Sequence, residues 1–99
     1  MKYNMDDLLV FVLNCSKDDI NPDTAYDGLN RAMTSLPDIE RDVLYFRYGQ
    51  GWTLEKIGKA MPSPRSRERV RQIESKARRR LRHPSRSRKL REWCLRKEV

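Results

Sequence analysis

The sequence predicts a small all-α domain: a helical bundle that contains a helix-turn-helix. Apolar residues recur at three- and four-residue steps in several segments, which is the period of an amphipathic helix. A capping residue or a proline precedes most of these segments, and no segment pair has the pattern of a β-hairpin. With 99 residues, the chain has room for one domain with a modest core. We expect residues 1–21 to form a short N-terminal helical appendage and residues 22–99 to form the main domain.

The N-terminal segment contains the densest apolar run of the chain, at residues 8–13. Asn4 followed by Asp7 is typical of a helix start, and the helix would then continue to about Asn14. Six apolar residues do not fix the period, so a short buried strand is an equally open interpretation. The run is far shorter than the ~20 residues of a membrane helix, and nothing indicates a signal peptide.

Two helices are predicted in the middle of the chain. Asn21 and Pro22 indicate the start of an amphipathic helix over residues 22–34, because proline at the first helical position loses no hydrogen bond. Pro37 opens the next helix in the same way, and Gly49 and Gly51 end it. The apolar faces of the two helices are Ala25, Leu29, Ala32, Met33 and Leu36 for the first, and Ile39, Val43, Leu44 and Phe46 for the second.

The second half of the chain predicts the helix-turn-helix, at about residues 53–82. Thr53 caps a short helix over residues 54–61, the "PSP" at residues 62–64 breaks the chain, and Ser66 caps a longer helix that runs to about Arg82. A last helix would start at Ser85 and cover about residues 86–96. The inward residues of these helices are Leu54, Ile57, Ala60 and Met61 in the first, Val70, Ile73, Ala77 and Leu81 in the second, and Leu90, Trp93 and Cys94 in the third.

The charge is strongly polarised along the chain. Residues 1–40 carry eight acidic and three basic side chains, a net of −5, whereas residues 41–99 carry nineteen basic and six acidic ones, a net of +13. A basic half of this kind attracts polyanions. Nucleic acid is the first candidate, and anionic lipid is the second, since the basic segment has no broad apolar face to insert.

The predicted long helix places polar side chains opposite its apolar stripe. Arginine offers a bidentate fork to guanine, glutamine pairs with adenine, and glutamate accepts from cytosine, so these residue types suit base reading in the major groove. A generic amphipathic helix explains the stripe equally well. The polar side chains on this face are Arg67, Glu68, Arg71, Gln72, Ser75 and Arg79.

Four stretches of the chain resemble a known family. "TLEKIGKAM", "RERVRQIESKA" and "LRHPSRSRKLR", with "LPDIERDVLYFRYG" before them, closely resemble region 4 of bacterial sigma factors of the housekeeping type. The resemblance covers about residues 22–96. It implies a domain that binds the minus-35 promoter element and docks on the flap tip of the RNA polymerase β subunit.

The resemblance also implies roles for individual positions. Those that match contacts to minus-35 bases are Arg67, Glu68 and Gln72. Those assigned to the DNA phosphates are Arg69, Arg71, Arg78, Arg79, Arg86, Arg88 and Lys89. Those that match a surface touched by activators are Lys76, Arg79 and Arg82. The candidates for the β-flap pocket or for the core, two roles that the sequence does not separate, are Leu29, Leu36, Val43, Leu44, Phe46 and Ile57.

The chain departs from the family pattern in three places. The "PSPRS" turn is two residues longer than usual, which shifts the expected angle of the recognition helix. Arg78 stands where leucine is common, and Lys56 stands where a capping-box glutamate is common. No minus-10 domain precedes the resemblance, so we expect either an excised fragment or, as the preferred interpretation, a natural stand-alone protein such as a phage-encoded regulator of polymerase.

Other kinds of site find no support in the sequence. His83 and Cys94 have no partner at metal or nucleophile spacing, and Cys15 reads as a small core residue. We therefore expect no catalysis, metal or cofactor, and a reduced bacterial cytoplasm. The expected partners are double-stranded promoter DNA and RNA polymerase, and another regulator is a candidate partner of the N-terminal helix. The alternative function is a module that occupies the β flap and displaces or modifies the host sigma factor, with little specific DNA binding.

Overall fold

The computed structural model describes residues 4–96, and within them the fold is all-α, as predicted. Six α-helices are joined by short links, with a 3₁₀ turn at Lys17–Asp19 and a π-helical turn at Tyr45–Gly49. The α-helices are α1 (Met5–Leu13), α2 (Ala25–Met33), α3 (Asp38–Leu44), α4 (Leu54–Ala60), α5 (Arg67–Arg82) and α6 (Pro84–Cys94).

The apolar N-terminal run is a helix, which settles the choice that its period left open. The Asn4 side chain accepts from the Asp7 amide at 3.0 Å, and the Asp7 carboxylate accepts from the Asn4 amide at 3.0 Å, a reciprocal capping box. Asn14 ends the helix in the left-handed conformation, with φ 51°. Helix α1 packs against α5, α6 and the π-helical turn. The buried residues of α1 belong to the larger core cluster of the fold.

Three predicted helix starts were displaced by one to three residues. Asn21 caps a turn rather than a helix: its side chain accepts from the Asp23 amide at 2.9 Å, and α2 begins only at Ala25. Pro37 is the cap of α3, with extended backbone, rather than its first residue. His83 caps α6 through Nδ1, which accepts from the Ser85 amide, so the last helix starts at Pro84 and ends at Cys94.

The core has two parts. The larger one joins α1, α2, the carboxyl half of α5, and α6, and Leu8, Leu9, Leu13 and Leu90 are fully buried in it. The smaller one joins α3, α4 and the amino half of α5. Its buried residues are Val43, Ile57, Val70 and Ile73. Helix α5 therefore runs along both parts.

The two ends of the described chain are tied together beside this core. The Asn21 amide donates to the Cys94 carbonyl and the Arg96 amide donates to the Asp19 carbonyl, each at 2.8 Å. Burial raises the pKa of the Cys94 thiol to about 11, as expected of a cysteine that serves as a small core residue. Across residues 4–96, no helix is long and apolar enough to cross a membrane.

Candidate nucleic-acid interface

Helices α4 and α5 form the predicted helix-turn-helix. Thr53 caps α4 by accepting from the Lys56 amide at 3.2 Å, and Ser66 caps α5 by accepting from the Arg69 amide at 3.1 Å. The link between α4 and α5, residues 61–66, folds back onto α4, since the Arg65 amide donates to the Gly58 carbonyl at 3.0 Å. Gly58 is buried at this contact, and it leaves room for the Arg65 carbonyl.

Helix α5 is divided lengthwise into a buried and an exposed face. The predicted stripe is confirmed, with Val70, Ala77 and Leu81 fully buried and Ile73 at 4% exposure. The residues predicted to read bases, which are Arg67, Glu68 and Gln72, are all exposed at the amino end of the helix. Ala60 of α4, predicted to face inward, is exposed, and the position that packs on the link is Gly58.

The exposed side chains at the amino end of α5 pair with one another. Arg71 binds Glu68 through two hydrogen bonds, and that pairing holds the pKa of the Glu68 carboxyl below its usual range. Arg69 Nη1 donates to Gln72 Oε1 at 3.4 Å. Glu68 and Gln72, which are predicted to read bases, are thus each paired with a different arginine that is predicted to contact phosphate. Their polar groups stay accessible, because the pairs lie on the protein surface.

Basic side chains also gather where α5 meets α6. Lys76, Arg79 and Arg86 line a concave surface of about 430 Å³ together with Arg80, His83 and Ser85. Arg86 is tied to the turn after α2, because its Nε donates to Ser35 Oγ at 2.9 Å. Lys76, Arg79, Arg88 and Lys89 are exposed. This end of the domain is a cationic surface that continues from the exposed face of α5.

Arg78 differs from the other arginines that were predicted to contact phosphate. Its guanidinium lies 4.6 Å from the ring centre of Phe11 in α1, and Nη1 donates to the Tyr48 hydroxyl at 3.4 Å. Nη2 is 3.5 Å from the Glu74 carboxylate. Arg82 lies 5.1 Å from the same Phe11 ring. The arginine that replaces the usual leucine is thus accommodated by a partner on each of three elements.

The six residues predicted for a pocket or the core separate into two groups. Leu29, Leu36 and Leu44 are buried in the larger core. Val43, Phe46 and Ile57 line an open groove of about 520 Å³ between α3, α4 and the link. Ile39 and Met61 add apolar surface to this groove, and Asp38, Asp42 and Arg65 add charges. The groove is open to the surface, and Phe46 brings the π-helical turn to its wall beside α3, α4 and the link.

Trp52 packs beside the start of α4. Its ring stacks on Phe46 with ring centres 4.6 Å apart and planes 7° from parallel. Lys56 Nζ lies 4.3 Å from the ring centre of Trp52. Lys56, which stands where a glutamate is common, therefore contributes a cation–π contact in place of the second half of a capping box.

Sequence reasoning missed two buried carboxylates. Glu40 is 5% exposed, and its Oε1 lies 3.0 Å from Arg80 Nε. Glu74 is 6% exposed, and its Oε2 lies 3.1 Å from Arg47 Nε, an ion pair without the alignment of a hydrogen bond. The four-residue spacing of Glu74 and Arg78 was a signal, but a polar residue inside a basic helix is ordinarily solvated. Between residues 4 and 96, no cluster of His, Cys, Asp or Glu could hold a metal ion.

These features define a helix-turn-helix domain whose second helix presents a basic, hydrogen-bonding face. The family model for sigma-70, region 4 matches residues 32–83, and the chain belongs to this family. Over 81 residues it is 42% identical to the RNA polymerase sigma factor SigA of Nostoc sp., covering 78% of the chain. It is 41% identical to the SigA proteins of Microcystis aeruginosa and Synechocystis sp. over the same length. The chain spans about a fifth of the length of these relatives, at 20%, 19% and 19%.

Proposed function

We propose that this chain binds minus-35-type promoter DNA with α5 in the major groove and docks on the RNA polymerase β flap, with no catalytic role. The observation that carries the proposal is the exposed amino end of α5, opposite a fully buried stripe. The proposed base contacts at this end of the helix are Arg67, Glu68 and Gln72. Membership of the sigma-70 region 4 family supports the same assignment.

The proposed phosphate contacts are the exposed cations around this face. They are Arg69, Arg71, Arg79, Arg88 and Lys89. Arg86 and Arg78 are left out of this set because they are only partly exposed, and their guanidinium groups also contact Ser35 and partners on α1, α5 and the π-helical turn. Lys76 and Arg82 remain candidates for contact with a second regulator, on the surface that Arg79 shares.

Salt dependence tests the DNA contacts. Each neutralised phosphate contributes about −0.9 to the slope of log affinity against log salt, so five contacts predict a slope of about −4 to −5. The measurement is the affinity for a minus-35-type duplex at several salt concentrations between about 50 and 200 mM. Arg78→Leu is the matched control, because Arg78 is excluded from the set and should leave the slope unchanged. A slope near zero for the wild-type chain would rule out the phosphate contacts.

The apolar groove is the proposed seat of the β flap. Val43 and Ile57 are its buried floor, and partly buried Ile39, Phe46 and Met61 are its walls. Apolar grooves of this kind accept the apolar face of a helix. The same groove supports the second candidate function, in which the chain occupies the flap and displaces the host sigma factor.

Changing the groove wall should separate docking from DNA binding. Ile39→Lys places a charge on the groove and should lower capture by an isolated β-flap domain by about tenfold or more, while DNA affinity stays the same. Tyr45→Lys is the control, because Tyr45 is exposed and does not line the groove. A pull-down beside a promoter footprint reports both activities. Flap capture without a footprint would favour displacement, and equal effects of the two variants would argue against docking in this groove.

A further inference from the structure

Glu74 is buried on the inner face of α5 between two arginines. Arg47 Nε lies 3.1 Å from Glu74 Oε2, and Arg78 Nη2 lies 3.5 Å from Glu74 Oε1. Glu74 is only 6% exposed, and a buried carboxylate without partners of opposite charge would be very costly, so its two arginine partners matter for the packing of α5. The ion pairs therefore fix where the middle of α5 sits.

Arg47 extends this contact to the start of the helix-turn-helix. Its Nη1 donates to the Trp52 carbonyl at 3.0 Å, and Trp52 directly precedes Thr53, the cap of α4. One guanidinium thus contacts the middle of α5 and the backbone at the start of α4. Arg47 belongs to the π-helical turn, where the extra residue per turn changes the direction of the side chains that follow. The three groups form a continuous connection between the two helices of the motif, which we call the Glu74–Arg47–Trp52 link.

The proposed base-reading side chains lie close to this link along α5. Gln72 is two residues before Glu74 and points to the opposite, exposed side of the helix. Hydrogen bonds to base edges weaken steeply when donor and acceptor are misaligned. A rotation or tilt of α5 against α4 therefore changes base contacts more than it changes contacts with flexible phosphate-binding side chains.

We propose that Glu74 is a positioning residue: through the Glu74–Arg47–Trp52 link it sets the orientation of α5 relative to α4 and thereby the ability to discriminate between DNA sequences. This inference rests on the proposed function, in which α5 reads bases. Glu74 itself faces the interior and touches no DNA.

Glu40 provides a matched control on the same side of α5. Its exposure is 5%, against 6% for Glu74, and Arg80 Nε is 3.0 Å from its carboxylate. The Glu40–Arg80 pair joins α3 to the carboxyl half of α5 and has no contact with the start of α4 among its ion-pair partners. Glu40→Gln and Glu74→Gln therefore make the same change at equally buried sites. Only Glu74→Gln breaks the Glu74–Arg47–Trp52 link.

The experiment measures the ratio of affinities for a minus-35-type duplex and a scrambled duplex, in the full chain and its variants, beside thermal unfolding. A partly unfolded variant binds every DNA more weakly by the same factor, so this ratio is insensitive to the folded fraction. We expect both variants to lower the unfolding temperature, and Glu74→Gln alone to lower the ratio, by about fivefold or more. An unchanged ratio in Glu74→Gln, or equal losses in both variants, would overturn the inference.

Arg47→Lys is a second variant that keeps the positive charge beside Glu74. A lysine ammonium lacks the planar fork that serves Glu74 and the Trp52 carbonyl together, so the ratio should fall while unfolding stays near that of the wild type. A full wild-type ratio in Arg47→Lys would show that the link is not what acts. If the wild-type chain itself has an affinity ratio near one, the proposed function and this inference are overturned together. If the wild-type ratio is high and the variants keep it, the inference alone is overturned.

Discussion

Gly58→Ala is expected to destabilise the domain by about 2–3 kcal/mol, through the link between α4 and α5. A Cβ at residue 58 would lie far inside van der Waals contact with the Arg65 carbonyl oxygen, and 3.4 Å from Val70 Cγ2. The Arg65 amide also donates to the Gly58 carbonyl, so the backbone at residue 65 cannot move away without losing that bond. Alanine gains about 1 kcal/mol of helix propensity at this position, which is smaller than the cost of the clash.

The same substitution should weaken DNA binding, because Arg65 directly precedes Ser66, the cap of α5. Thermal or urea unfolding measures the stability change. Gly49→Ala is the matched control: its Cβ would meet the flexible end of Met5 at 3.2 Å and the ring of exposed Tyr45 at 3.3 Å, and since both side chains can shift, stability should change by less than about 1 kcal/mol. If Gly58→Ala were as stable as Gly49→Ala, this result would contradict the close contact between the Arg65 carbonyl and Gly58 of α4.

Gln72→Ala is expected to remove about 1–3 kcal/mol of discrimination at one base pair while leaving affinity for scrambled DNA nearly unchanged. Gln72 is exposed on α5, so its removal creates no cavity, and alanine favours the helix. Within residues 4–96 its side chain accepts from Arg69 at a long 3.4 Å, a hydrogen bond that is easily exchanged for an adenine edge. The loss should therefore appear in specific binding and not in stability.

Arg79→Ala is the companion variant. Arg79 is exposed and is proposed to contact phosphate, so its removal should weaken binding to every sequence alike and reduce the salt slope by about 1. Competition titrations with minus-35-type and scrambled duplexes measure both effects. Equal losses on both duplexes for both variants would contradict base reading by α5.

The helix-turn-helix could be predicted because its local signals agree. Thr53 and Ser66 are good caps, the prolines at residues 62 and 64 exclude a continuous helix, and the stripe of α5 has a helical period. All of these depend on residues near one another in sequence. Each is confirmed in the fold.

Features that depend on distant partners were beyond the sequence. Glu40 and Glu74 lie beside arginines that are 40 and 27 residues away along the chain, and the four-residue spacing of Glu74 and Arg78 alone does not report these contacts. Nothing near Arg78 in the sequence indicates that Phe11 of α1 lies beside it. The π-helical turn was also missed, since its sequence continues an ordinary helical pattern from α3.

The separation of groove from core had the same limit. Leu44 and Val43 are neighbours of similar chemistry, yet one lies in the larger core and the other on the floor of the groove. An apolar residue at helical spacing predicts burial without saying against what. The packing of the helices decides which core each position joins: α1 and α2 cover Leu44, whereas Val43 is buried between α3, α4 and α5 beneath the groove.

The measurement that tests the account most directly is the ratio of affinities of the wild-type chain for a minus-35-type duplex and for a scrambled duplex of equal length and composition. It is made at physiological salt, because electrostatic binding alone rises as salt falls. The account predicts a clear preference for the minus-35-type duplex, by at least about tenfold, and its loss in Gln72→Ala. Equal affinity for the two duplexes would contradict it and would leave α5 as a basic helix that holds DNA without reading it.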